Sequence, residues 1–418
     1  VSRVLMREHA MTSPRDLFVK ENRLYLADTG ASRVLIYQLD TGDCREIGGE
    51  TLSSPVGLFV DQNNELYVAD NGLGAVVKFS PEGEVLHRYD RPDSAAFGTE
   101  TTYSPSKVAV NSSGTLYVVS DGSYDGMIQL DQNGEFLGYF GYNNNPITAW
   151  EYLQDLLFTD EMKAQLFSRV PYSFGNVDID TKGILYSVTQ SAEGNAIKKH
   201  DVAGLNLLTP NMEDEQDFVD VCIGTDGQIY AVTATGLIFE YDMDGHLLFT
   251  FGGRAIAVEQ NGVFATASAI ASDSQGRLYV LDGERGLVHV MAPSNYAKAV
   301  HTAMREYSLG HYAVSYELWN DIISIGGASY FATNNMAQCL FQEKQYDEAA
   351  ALYRASGDRE GYSQSFWHIR NQWLSKALPY LLLGLAVAAA AVMVCRRLLR
   401  RRQPAASGPH ILRDDAKL

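Results

Sequence analysis

The feature that most constrains this chain is a short motif, Leu-Tyr or Ile-Tyr followed by small or apolar residues, that returns six times. It reads LYLAD ending at Asp28, LYVAD at Asp70, LYVVSD at Asp121, LYSVT at Thr189, IYAVT at Thr233 and LYVLD at Asp282. The repeated tyrosines are Tyr25, Tyr67, Tyr117, Tyr186, Tyr230 and Tyr279, spaced 42, 50, 69, 44 and 49 residues apart. Each motif follows a short alternating run, such as GLFVD at 57–61 or KVAVN at 107–111, and precedes a third, such as RVLIYQL at 33–39 or AVVKF at 75–79. Glycine-bearing turns then lead to a fourth run, as in QNGEFLGYF at 132–140 and MDGHLLFTF at 243–251. Alternation is the period of a strand, and Asn133-Gly134 and Asp244-Gly245 are dipeptides that two-residue hairpins use for positive φ. One four-stranded unit cannot bury both its faces, whereas six stacked around an axis can. The expectation is a mainly β fold, a six-bladed β-propeller over residues 1–296. Pro293 interrupts the sixth unit before its outer strand, and the run SRVLMR at 2–7 fits that vacancy and closes the ring.

The units resemble NHL repeats. Unit 2 matches best, with PVGLFVD at 55–61, LYVADNG at 66–72, VVKF at 76–79 and PEG at 81–83. Unit 1 repeats it with SPRDLFV and LYLADTGASRVLIY, while units 4 and 5 carry threonine in place of the motif's aspartate. The resemblance covers the propeller and speaks to fold rather than activity.

Between units 3 and 4 lies an insertion at 146–171, in which Trp150, Leu153, Leu157 and Phe167 follow helical spacing. It is expected to be a helical hairpin that packs on one propeller face, or a lid over the central channel or docking element for a protein partner. After Tyr296 the period changes to about 3.6, and a repeat of 34 residues pairs Ala303 with Ala337, Tyr312 with Tyr346, Ser315 with Ala349 and Trp319 with Tyr353. This resembles tetratricopeptide helix pairs and defines a helical stalk at 297–376. Ala377 to Cys395 then runs nineteen residues without a charge, about 28 Å of helix, which suits one transmembrane helix. Five arginines follow within residues 396–402, so the tail at 396–418 is basic, expected to be disordered, and placed in the cytoplasm with the propeller outside. The chain opens at Val1 rather than methionine, so any signal peptide is expected upstream. The resemblance extends to a bacterial type that joins an NHL propeller, a tetratricopeptide-like stalk and a membrane anchor in one chain.

The net charge of -18 is uneven, because residues 1–378 carry 26 Lys/Arg against 49 Asp/Glu. Such a body repels phosphate backbones and excludes nucleic acid as a partner. The four cysteines are scattered without metal spacing, and no HxxH, HExxH, GxSxG or Walker loop is present. His87, His200, His246 and His289 fall on outer strands or their turns, away from the axis.

Aligning the first runs by their distance from Leu-Tyr gives one equivalent position per unit, occupied by Asp16, Gly57, Lys107, Asn176, Asp220 and Ala269. Asp178 adds a further polar residue to an apolar run. First strands line a propeller's axis, so Asp16, Lys107, Asn176, Asp178 and Asp220 are the channel candidates, either as a structural polar ring or as a site for a carbohydrate or small molecule. No catalytic or metal-ligating residue is assigned and no cofactor is implied by the main reading. That reading is a membrane-anchored extracytoplasmic scaffold or ligand sensor, binding a protein partner at the membrane near envelope transport or polysaccharide machinery. The alternative, implied by propellers of the gluconolactonase kind, is a metal-dependent hydrolase holding Ca2+ in the channel.

Overall fold

The computed structural model describes residues 3–98, 101–141, 173–189, 196–208, 217–257, 259–326 and 329–401. It divides into two compact units, Val1–Asn295 and Tyr296–Leu418. The first is a six-bladed β-propeller of antiparallel sheets, five of them meanders from the axis outward and the sixth completed by a strand from the N-terminus. Blade 1 comprises Asp16–Lys20, Arg23–Asp28, Arg33–Gln38 and Cys44–Ile47. Blades 2, 3 and 5 repeat this with first strands Pro55–Val60, Pro105–Val110 and Phe218–Ile223. Blade 4 shows three strands among the described residues, Asn176–Ile179, Leu185–Val188 and Ile197–His200. In blade 6 the outer strand is Arg3–Leu5, which pairs antiparallel with Leu287–Met291 through Val4 and His289. The N-terminal run therefore supplies the strand that the sixth unit lacks.

The core is a set of wedges between blades. Leu26 and Leu35 of blade 1 pack with Tyr279 and Val288 of blade 6 and with Leu5 and Met6 from the closing strand. Tyr25 and Ile36 pack on Leu58 and Val68 of blade 2. Buried clusters of the same kind join the remaining blades. Here the repeated tyrosine has its reason. Its ring fills a wedge, and in blades 2, 4 and 6 its hydroxyl reaches the aspartate that opens the preceding turn, from Tyr67 to Asp61 at 3.4 Å, Tyr186 to Asp180 at 3.5 Å and Tyr279 to Asp273 at 3.1 Å. In blade 5, which lacks that aspartate, Tyr230 donates to buried Glu240 at 3.3 Å.

The turns differ from the two-residue hairpins expected from Asn133-Gly134 and Asp244-Gly245. Only Gly134 and Gly245 take positive φ, at 88° and 92°. Asp131 Oδ1 instead accepts the N–H groups of Asn133 and Glu135, and Asp242 does the same for Asp244 and His246. The chain turns over three residues with glycine last, a type I turn closed by a left-handed residue. Aspartates at the ends of second strands also hold backbone. Asp70 accepts the N–H groups of Ser53, Ser54 and Leu73, and Asp282 that of Ala265. In blade 3 this position is Ser120, which accepts from Ser104, rather than Asp121.

The second unit is α-helical: α1 Asn295–Ser308, α2 Tyr312–Ser324, α3 Ser329–Gln342, α4 Tyr346–Ser356 and α5 Arg359–Arg401. The start of α3 lies 34 residues after that of α1, and that of α4 lies 34 after that of α2, so the sequence repeat is a repeat of helices. Ala303, Ser315, Ala337 and Ala349 are fully buried, and Ser315 Oγ donates to Ala303 O across the first hairpin at 2.8 Å. Small residues there let the helices approach. Helix α5 is one element where the sequence suggests a stalk helix followed by a separate span. It runs through Pro379, and the basic tail is helical as far as Arg401. It is long and apolar enough to cross a membrane, and its apolar run is exposed rather than buried. The insertion residues Trp150, Leu153, Leu157 and Phe167 lie outside the described residues.

Candidate functional site: the propeller channel

The first strands of all six blades surround the axis, and their register fixes which side chains meet there. Asp16, Gly57, Lys107, Asn176, Asp220 and Ala269 each face the residue two positions after the repeated tyrosine on the neighbouring strand. These positions are therefore equivalent around the ring. A Cβ at Gly57 would stand 2.3 Å from Ser106 O, so close approach between the inner strands of blades 2 and 3 requires glycine.

The polar members of this ring clamp one blade to the next. Asp16 Oδ1 accepts the N–H of Leu17, and its Oδ2 accepts that of Leu58 in blade 2 at 2.6 Å. Asp220 repeats the arrangement between blades 5 and 6, accepting from Val221 and, at 2.7 Å, from Ile270. Asp178 accepts from Ile179 and from Ile223 of blade 5, and Asn176 accepts from Val177. Lys107 crosses the ring from blade 3 to bond Asp16 Oδ2 at 2.6 Å. One ammonium thus ties blades that are not neighbours.

Burial sets the charge state of this cluster. It pushes the Asp220 carboxyl up to about 7, against the pull of Lys107 and with a further push from Asp16. It raises Asp178 to about 6, opposed by the Ile179 N–H and by Lys107. For Lys107 burial is the largest single influence and acts downward, yet Asp16, Asp220 and Asp178 together hold the ammonium above the ordinary lysine value. Desolvation disfavours each charge separately, and the mixed cluster restores part of that loss.

A cavity of about 910 Å3 occupies the channel, bounded by Lys107 and Asp178 and opening among the turns between first and second strands. Asp61, Asn111 and Asp180 stand at these turns. Sequence reasoning did not single them out. The signal was available, since each is the polar residue that closes a first strand, but the same residue type also makes the turn. Asp61 and Asp180 each have one oxygen committed to turn N–H groups.

Of the histidines, His200 is fully enclosed, bonded to Ser187 Oγ at 2.8 Å and to Gly204 O, and burial depresses it to about 4. Among the described residues, no three His, Cys, Asp or Glu side chains are grouped to hold a metal ion. A divalent cation does not fit the channel ring. Both oxygens of Asp16, Asp178 and Asp220 already accept backbone N–H groups, and the Lys107 ammonium stands where a cation would be shared.

Residues 17–128 match the family profile described as the SMP-30/Gluconolactonase/LRE-like region. Three solved structures are similar to the chain over part of its length. A streptogramin B lyase is 11% identical with a TM-score of 0.47, over 69% of this chain and 96% of that one. The virginiamycin B lyase from Staphylococcus aureus is 12% identical with a TM-score of 0.44, over 68% and 82%. A gluconolactonase from Xanthomonas campestris is 15% identical with a TM-score of 0.47, over 68% and 87%. At these values the likenesses carry no argument. No curated protein matches the chain at a significant level.

Proposed function

We propose that the propeller takes a small polar molecule into its channel and that the chain is tethered to a membrane by the apolar part of α5. The observation that carries the first half is the 910 Å3 cavity with Lys107 and Asp178 on its wall and polar turns at its mouth, a volume suited to a small ligand. The tether is supported by the exposure of the apolar run, since a core helix of that composition would be covered, and by the arginines at 396, 397 and 400–402. NHL and tetratricopeptide character, the extracytoplasmic placement of the propeller, and a protein partner held near envelope machinery by the 146–171 insertion belong to the same proposal.

The family match favours a second reading, a gluconolactonase-like hydrolase acting in that channel, and it is the comparison that speaks most directly to activity. It favours hydrolysis over a pure scaffold. The committed carboxylates weigh against the metal-dependent form of that chemistry.

The two readings separate on detergent-solubilised full chain. Thermal shifts are measured with monosaccharides, aldonolactones and Ca2+ or Zn2+, alongside lactone turnover. A sugar or lactone that raises the melting temperature without turnover supports a sensing channel. Turnover supports the hydrolase, and loss of it with chelator would restore the metal. No shift and no turnover with any of them would remove the channel from both readings.

A further inference from the structure

Helix α5 carries a feature that neither the channel nor the span uses. Phe366, Trp367, Trp373 and Leu374 are exposed, at 51%, 51%, 62% and 38%, in the turns before the apolar run. At about 100° per residue they share an arc of roughly 120° on one side of the helix. Gly361 and Ser365 are buried on the other side, and a Cβ at Gly361 would strike the Tyr353 ring of α4. The stripe therefore faces away from the helix it packs against. By contrast Trp319 is buried.

We infer that this stripe seats in the headgroup–acyl boundary of the same bilayer that the apolar run enters, with α5 bending at Pro379. The inference rests on the membrane reading above. Three observations choose the bilayer as occupant. The stripe is continuous, on one uninterrupted helix, with the segment read as the span. Its composition is that of an interfacial belt, two tryptophans with a phenylalanine and a leucine. Its single charge is the exposed Arg370, between the two tryptophans, where a long cationic side chain meets lipid phosphate.

Geometry supplies the need for a bend. Trp373 precedes Ala377 by four residues, about 6 Å of rise, which falls inside an interfacial layer of roughly 5–7 Å per leaflet. Trp367 stands about 15 Å above the apolar run on a straight helix, outside that layer. Pro379 lacks the N–H that would bond Ser375 O, and its ring crowds that carbonyl, so the helix is weakest within the first turn of the apolar run. A bend there toward the stripe brings Phe366 and Trp367 down with Trp373.

The test uses the full chain carrying Trp150→Phe, reconstituted into phosphatidylcholine vesicles whose acyl chains are brominated near the headgroup. With Trp319 buried in the bundle, the quenchable emission comes from Trp367 and Trp373, separated by Trp367→Phe and Trp373→Phe. The expected result is blue-shifted emission and loss of intensity from both, with Pro379→Ala abolishing the loss at Trp367 while Trp373 stays quenched. Quenching of Trp373 alone in the parent, or neither, in protein that resists alkaline extraction would overturn the seating and leave the span intact. A second copy or a protein surface would then be the cover, detected by cross-linking at position 367. Release of the chain by alkaline wash would overturn the membrane reading itself.

Discussion

Replacing Lys107 by methionine tests whether the channel ring works as a clamp. The substitution keeps most of the length and the apolar character of the stem and removes the ammonium with its three donors. Asp16 is 2% exposed and would retain its two backbone donors, Leu17 and Leu58, but lose the ammonium at 2.6 Å. Removing one partner of a buried pair costs about 3–5 kcal/mol, because the other charge is left without compensation. At about 2 °C per kcal/mol for a large domain, the propeller transition should fall by roughly 6–10 °C. The assay is thermal and urea unfolding of the full chain, followed through the β-sheet signal, because the helical unit can melt separately. Asp16→Asn added to Lys107→Met removes the orphan charge but turns an amide NH2 toward one of the two backbone N–H groups, so it should recover only part of the loss, and the double-mutant cycle reads the coupling of the pair. A Lys107→Met variant that loses less than about 1 kcal/mol would mean that water in the cavity solvates Asp16, and would refute the clamp.

Three further outcomes are expected. Because Asp178 and Asp220 titrate near 6 and 7 in the folded chain, against about 4 when unfolded, their folded forms bind protons that the unfolded chain releases. Their contribution is complete below about pH 4 and is lost as pH rises to 7. His200, depressed to about 4, acts in the opposite sense, so the comparison is between the parent and Asp220→Asn, whose stability should vary less with pH between 4 and 7 by urea titration. Gly57→Ala places a methyl 2.3 Å from Ser106 O and should lower stability by about 1–3 kcal/mol, and an unchanged unfolding midpoint would show that the inner strands can separate freely. Removal of residues 1–8 exposes the Leu287–Met291 edge and strips Leu5 and Met6 from the blade 1–blade 6 wedge, so the chain should aggregate or melt much earlier, as light scattering during a thermal ramp would report.

The blades are legible in the sequence alone. Five Leu-Tyr motifs and one Ile-Tyr, 42 to 50 residues apart except across the one insertion and each flanked by alternating runs, leave little but radial stacking, because only stacking covers both faces of every sheet. Alignment on the tyrosine also located the ring of Asp16, Gly57, Lys107, Asn176, Asp220 and Ala269, since strand register is a local property once the turns are known. The 34-residue offset of the helices was equally legible, because helix contacts recur at fixed places in the repeat. What the ring does was decided only by tertiary structure. Whether Asp16 and Asp220 present free oxygens or spend them on Leu58 and Ile270 depends on the neighbouring blade, which no local pattern encodes. The pairing of Lys107 with Asp16 joins residues 91 apart in sequence across the axis, a contact that only the closed ring creates. The turns differ from their sequence signal for a related reason: Asn-Gly and Asp-Gly suggest two-residue hairpins, but the aspartate two or three positions earlier gathers the backbone around its own side chain.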